Sequence, residues 1–227
     1  MRSEKLTAIL VIGLLTVQTV LLGVLLWRID TLQRLVLTAA AGGGLGTDAE
    51  AEEVVDVDPG TGATQGAAEA PVTIVEFSCF TCPACADLQP GLKQMLSRHP
   101  DKVRLAFRYF PLRLEGKPIL LAKAAECAHR QGKFWETHDL LFSKGAEIET
   151  AEDLVEVTAP LGLDREGFSQ CLASKEVEAR VLEDFEAGRS YGVNSTPTLF
   201  VNGRRVSGAD LRILNQLVES SLEKGVI

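Results

Sequence analysis

The succession of strand and helix patterns predicts an α/β fold: one mixed sheet whose two halves are separated by a helical block, preceded by an N-terminal membrane helix and a flexible linker. Three observations carry the fold. The apolar run Val72 to Phe77 leads directly into Cys82-Pro83-Ala84-Cys85 and a helix-patterned segment. Val103 to Phe110 is a second β-type run, stopped by Pro111. Far downstream, Leu199 to Val201 and Arg204 to Val206 flank Asn202-Gly203, the strongest short hairpin signal.

From the N-terminus, Leu6 to Trp27 is 22 residues without a charge. That length spans a bilayer, and it exceeds the apolar core of a cleavable signal peptide, about 7 to 15 residues. An uncleaved single-pass anchor is therefore expected, although Thr38-Ala39-Ala40-Ala41 offers small residues further on. Arg2 and Lys5 on one side balance Arg28 and Arg34 on the other, so flanking charge does not orient the helix. Beyond it, Leu25, Ile29, Leu32 and Val36 keep a 4-3-4 spacing, read as a helix end at the lipid interface or as a stripe pairing protomers. Residues 1–38 thus form the anchor and juxtamembrane helix. Residues 39–70 turn Gly-, Ala- and acid-rich and read as a tether, with Val54 to Val57 as an edge strand.

Residues 71–227 form the folded domain, long enough for its own core. Within a helical insert over about 115–190, Ile119 to Arg130, Phe134 to Ser143, Ala151 to Leu161 and Ser174 to Tyr191 carry helical periodicity. Phe134, Trp135 and Phe142 are most simply core packing. Leu211 to Leu222 closes the chain as a helix.

The chemistry concentrates at Cys82 and Cys85. A helix's first turn leaves backbone N–H groups unpaired and carries roughly half a positive charge, which favours a thiolate. Cys82, at the helix mouth, is the expected low-pKa nucleophile, and Cys85, one turn on, the resolving thiol. Pro83 fits the first turn, where its missing N–H costs nothing. The competing reading, half of a zinc site, needs a second ligand pair. His99, His129 and His138 are scattered singly and offer none.

Taken together, the strand, the C-x-x-C helix, the helical stretch and Thr196-Pro197-Thr198-Leu199-Phe200-Val201-Asn202-Gly203 resemble the DsbA-like thioredoxin family of exported thiol-disulfide oxidoreductases. Ala70-Pro71-Val72-Thr73-Ile74-Val75-Glu76-Phe77-Ser78 and Gly132-Lys133-Phe134-Trp135 are similar to the branch that includes the BdbD-type proteins. The resemblance covers roughly residues 54 to 225 and implies a thioredoxin fold with an inserted helical domain. It also implies Cys82 as nucleophile, Cys85 as its partner, Pro197 as a cis-proline facing the disulfide, and Thr196 as the residue whose backbone pairs with a bound peptide. Glu76 matches the buried acid beneath the site in several members, where a raised pKa would let it relay the Cys85 proton. Strand pattern alone equally allows Glu76 to face solvent. Some relatives carry a second disulfide, which here would join Cys127 and Cys171.

Cys79 departs from the family pattern, which commonly has an acid there. It is open to three readings: an inert packed thiol, a third redox partner, or an extra ligand for Cu(I) or an iron-sulfur cluster.

A net charge of -8 and the lack of an aromatic-interleaved basic patch argue against nucleic acid. No dinucleotide or phosphate-loop fingerprint is present, so no cofactor is implied. The expected protein is a membrane-tethered thiol-disulfide oxidoreductase with its catalytic domain on the periplasmic or extracytoplasmic side. Its expected partners are exported proteins with thiols or disulfides and a quinone-linked membrane redox protein. Reductase or isomerase direction, or copper handling by Cys79, Cys82 and Cys85, stand as alternatives.

Overall fold

The computed structural model describes Arg28 and residues 54–224. The expected membrane helix, the juxtamembrane stripe and residues 39–53 of the tether lie outside the described residues.

The domain is built on a sheet of order β1-β3-β2-β4-β5, with β1 at Thr64–Gln65, β2 at Val72–Ser78, β3 at Val103–Tyr109, β4 at Thr198–Val201 and β5 at Arg204–Ser207. β2 and β3 run parallel, joined by helix α1 (Pro83–Arg98) in a β-α-β unit; β1, β4 and β5 are antiparallel to their neighbours. Between β3 and β4 lies the helical insert: α2 (Lys117–Arg130), α3 (Phe134–Lys144), α4 (Ala151–Thr158), α5 (Arg165–Leu172) and α6 (Lys175–Ser190). Helix α7 (Leu211–Lys224) closes the domain. The periodic runs therefore become helices close to where they were expected, except that Ala151 to Leu161 breaks after Thr158 into a 3-10 turn containing Pro160. Helix α5 and strand β1 were not anticipated.

Alternation along β2 divides the core. Val72 and Ile74 pack with Leu88, Leu92 and Met95 of α1 and with Leu214 and Val218 of α7. Val75 and Phe77 point the other way, to Phe110, Val193 and Phe200. Helix α6 presses closely on this second face: a Cβ at Gly188 would come within 2.8 Å of ring carbons of Phe77 and Phe110. The insert has its own cluster, where Phe134 is fully packed and Trp135 and Phe142 lie at the edge.

Asn202 and Gly203 form the expected hairpin turn, with φ of 45° and 83° at its two central residues. Asn202 also ties the hairpin to the start of β2, its side chain donating to the Pro71 carbonyl at 3.0 Å and accepting from the Thr73 N–H at 2.8 Å.

Two expectations need correction. Residues 54–70 are not the end of a tether. Ala63 is buried, Thr64 and Gln65 pair with β3, the Trp135 indole donates to the Thr64 carbonyl at 3.1 Å, and Arg108 donates to the Asp58 carbonyl at 2.7 Å. Composition misled here, because a segment held through its backbone needs few apolar side chains. Nor do Val54 to Val57 form a strand; Val54 makes an isolated antiparallel bridge to Arg204, and the Val55 N–H donates to the Gly203 carbonyl at 3.0 Å.

A buried ionic network holds the insert to the sheet. Asp184 of α6, fully buried, accepts from Arg108 of β3, from Arg180 at 2.7 Å and from the Tyr109 N–H at 3.1 Å. Removing one partner strands the others in low dielectric, which typically costs about 3–5 kcal/mol. Asp184→Ala is accordingly expected to lower the free energy of unfolding, read from urea titration, by about 3–5 kcal/mol; an unchanged value would show that the two arginines re-solvate freely.

Candidate functional site: a pair of thiols at the mouth of a helix

The site grows from the end of β2. Glu76 and Ser78 share the face that meets α1, and both are buried. After Ser78 the chain turns through residues 79–82, closed by a hydrogen bond from the Cys82 N–H to the Cys79 carbonyl at 3.0 Å. It then enters α1 with Pro83 in the first turn. Cys82 is the helix N-cap in extended conformation, and no side chain caps the helix. The first-turn N–H groups are therefore left to serve the Cys82 sulfur.

Cys82 is half-buried, and its thiol donates to the Thr196 carbonyl at 3.3 Å. The Thr196-Pro197 peptide bond is cis, and β4 starts directly after it at Thr198. Partial burial pushes the Cys82 thiol up. Thr196, the N–H and thiol of Cys85, and the Ala84 N–H outweigh that push and hold it below the ordinary thiol value. The Thr196 hydroxyl is near enough to act on both thiols while lacking any partner at hydrogen-bond distance.

Cys85 lies fully buried. Burial pushes its thiol up to about 12, and the charge of Glu76 adds to that push. Ser78, the Cys79 N–H and Thr196 give only partial relief.

Glu76 does not face solvent. It has no exposed surface, and burial pushes its carboxyl up to about 7 against the opposing influence of Ser78 and Gln89. Gln89 donates to Glu76 Oε1 at 2.9 Å and to the Cys85 carbonyl at 3.1 Å, tying acid to helix. Glu76 Oε2 and the Ser78 hydroxyl lie close by without reaching hydrogen-bond distance of any partner. A carboxyl that ionises near neutrality beside a thiol that resists ionisation can exchange a proton with it.

Five of the residues picked out beforehand, Glu76, Cys82, Cys85, Thr196 and Pro197, therefore meet at one place. Cys127 and Cys171 do not join them. They form a disulfide between α2 and α5, with Cα atoms 5.8 Å apart, inside the insert. Gln89 and Ser78 were missed. Gln89 was detectable as the polar residue one helical turn after Cys85, on the same apolar face as Leu88 and Leu92. Among the described residues no three His, Cys, Asp or Glu side chains converge as metal ligands, Cys79, Cys82 and Cys85 included.

Fold and site together are of the thioredoxin class: a thioredoxin-type sheet, a helix opening on two thiols of unequal acidity, and a cis-proline loop opposite. The chain belongs to the thioredoxin family, whose model, described as Thioredoxin, matches residues 58–219. Among solved structures it is similar to a thioredoxin-like oxidoreductase from Silicibacter pomeroyi (TM-score 0.62, 25% identity, covering 71% of this chain and 92% of that one). Oxidised BdbD from Bacillus subtilis shares the fold (TM-score 0.65, 23% identity, 75% and 99% covered), as does alpha-DsbA1 from Wolbachia pipientis (TM-score 0.66, 18% identity, 75% and 95% covered). In sequence it is 39% identical over 156 residues to a protein of Salinispora tropica named Na(+)/H(+) antiporter NhaA 3, and 37% identical over 170 residues to NhaA 1 of Salinispora arenicola. These matches cover 68% and 74% of this chain, which spans about a quarter of the antiporters' length, 24% and 26%.

Glu76 sets a pH dependence with a definite sign. Below about 4.5 the acid is protonated in both folded and unfolded chains. Between there and about 7 the unfolded chain releases its proton while the folded one keeps it, so stability falls with rising pH. The full loss is on the order of 3 kcal/mol, reached above the folded value. The reduced protein is thus expected to lose urea resistance across that window, and Glu76→Gln to flatten the loss; equal slopes for both proteins would mean that Glu76 is ionised as readily as in water.

Proposed function

We propose that this protein is an extracytoplasmic, membrane-tethered thiol-disulfide oxidoreductase that forms or exchanges disulfides in exported proteins through Cys82-Pro83-Ala84-Cys85. The observation that carries the reading is the unequal pair: a half-buried Cys82 thiol held below its ordinary pKa beside a buried Cys85 thiol held far above it.

In the oxidising direction, a substrate thiolate attacks Cys82 Sγ of the Cys82-Cys85 disulfide. A substrate–Cys82 disulfide forms, and Cys85 leaves as a thiolate and takes a proton, for which Glu76 is the adjacent acid. A second substrate thiolate then attacks the substrate sulfur of the mixed disulfide, and Cys82 departs as a thiolate. Low pKa makes Cys82 the better leaving group in that last step and stabilises the reduced enzyme, which raises the reduction potential. Oxidation or isomerisation is therefore favoured over reduction. The Thr196-Pro197 segment, opposite Cys82, is where the extended substrate backbone docks.

An extracytoplasmic setting is supported by the Cys127-Cys171 disulfide, since such bonds persist in oxidising compartments. Membrane tethering rests on the apolar segment 6–27, and it accords with a family domain that also occurs within proteins named as sodium-proton antiporters. Re-oxidation falls to a quinone-linked membrane partner.

Two outcomes follow. Equilibrating the protein in graded glutathione buffers is expected to reveal a reversible Cys82-Cys85 couple well above about -200 mV; a value near about -270 mV would make it a reductant instead. Cys82→Ser is expected to abolish oxidation of a reduced, unfolded substrate protein to the uncatalysed rate, and wild-type turnover in that variant would sink the mechanism.

A further inference from the structure

Two open cavities border the segments that meet at the thiols, and one side chain belongs to both. The first, of about 730 Å³, has Thr81, Leu112, Arg113, Glu115 and Lys117 in its wall. The second, of about 450 Å³, has Leu112, Phe185, Arg189, Gly192 and Asn194 in its wall. Thr81 immediately precedes Cys82, and Asn194 lies two residues before Thr196, whose carbonyl accepts from the Cys82 thiol. Leu112 therefore stands between a wall next to the nucleophile and a wall next to the cis-proline loop.

Leu112 sits in the loop between β3 and α2 and is 51% exposed; Leu114 of the same loop is 45% exposed. They are two of the four large apolar side chains left exposed among the described residues. Apolar surface kept in water at the rim of a cavity marks a contact site. The surrounding charges say what it contacts. Arg113 and Arg189 are exposed and, among the described residues, make no ion pair. The Arg189 guanidinium lies 6.0 Å from the centroid of the Phe185 ring, on the wall of the second cavity. Behind Gly192 stands Arg205: a Cβ added at Gly192 would come 3.4 Å from Arg205 Nη1, and Arg205 Nε is buried without a partner. Lys117 is already paired with Glu149. Against the three arginines the cavity walls set the carboxylate of Glu115. In a chain of net charge -8 this is a local reversal of sign.

We propose that the two cavities receive the residues flanking a substrate's cysteine and select acidic ones, with an apolar neighbour resting on Leu112 and Leu114. The inference rests on the proposed exchange at Cys82 and names the class of substrate that exchange takes. A substrate sulfur bonded to Cys82 holds its chain between the Thr81 wall and the Asn194 wall. Extended chain advances about 3.3 Å per residue, so the positions next to the cysteine, and not distant ones, meet these walls. Exposed pairs of opposite charge are individually weak and screened by salt, so the selectivity is a few-fold for each arginine and falls with ionic strength.

The test follows single-turnover reduction of the oxidised full chain by two reduced peptides. Each carries two cysteines, and they differ only in having glutamates or lysines beside them. Each rate constant is divided by that of the same peptide with the neutral disulfide of 2-mercaptoethanol, because a nearby carboxylate itself raises a thiol's pKa. The expected result is a normalised preference of about fivefold for the glutamate peptide at low salt, falling toward one at about 0.5 M sodium chloride and in Arg113→Gln/Arg189→Gln. Equal normalised rates at low salt, or a preference for the lysine peptide, overturn the inference and leave the proposed function standing. A preference that survives in the variant overturns the assignment to these arginines. Failure of both peptides to reduce the protein overturns the proposed function as well. The salt titration of the unaltered chain decides the matter even if the variant does not fold.

Discussion

Strand β2 is hydrogen-bonded along both edges and buried on both faces, and the site depends on that double constraint. All seven of its residues pair with β3, and Ile74 to Phe77 also pair with β4. Its register is therefore held twice. A slip by one residue would send Glu76 to the α6 face and Phe77 or Val75 into the space beneath Cys85. The same pairing sets β4 beside β2, and with it Thr196 and Pro197 at the mouth of α1. Helix, acid and cis-proline loop are thus not three independent placements. They are consequences of one strand's position.

Polar groups in the core help to hold that strand in place. Glu76 is oriented by Gln89, and the Arg108-Asp184-Arg180 network is satisfied by the Tyr109 N–H and the Asp58 carbonyl as well as by its own charges. Arg108 additionally lies over the Phe77 ring, 5.6 Å from its centroid. One β3 side chain therefore links the N-terminal segment, the face of β2 opposite the thiols, and helix α6. Insert and sheet are coupled through charges that exclude water, which explains how α6 can approach the sheet as closely as Gly188 permits.

Local signals read well from sequence, and long-range polar contacts did not. The C-x-x-C helix, the Asn202-Gly203 hairpin and the periodic helices of the insert were each visible because their cause lies within a few residues. Glu76 was ambiguous, since its burial depends on α1 crossing over β2 and not on its own neighbours. Residues 58–65 looked like linker because what holds them is backbone pairing with β3 and the Arg108 and Trp135 side chains from elsewhere in the fold. Gln89 was overlooked because a single polar residue in an apolar helix face signals nothing until the acid it faces is placed.

The inequality of the two thiols follows from the same geometry. Cys82 and Cys85 share a helix turn, so the field of the helix cannot distinguish them strongly. Depth does. Cys82 sits where first-turn N–H groups and the Thr196 segment can stabilise an anion while part of it still meets solvent. Cys85, one turn deeper, loses water and gains a carboxylate neighbour, and two adjacent buried anions oppose each other. The charge of Glu76 therefore adds to burial in holding the proton on Cys85. In the reduced site Cys82, nearer the surface, is the thiol that ionises more readily, and Cys85, beside Glu76, the one that keeps its proton. That separation lets a substrate sulfur meet the reactive atom, while the proton needed to close the cycle is kept within the fold.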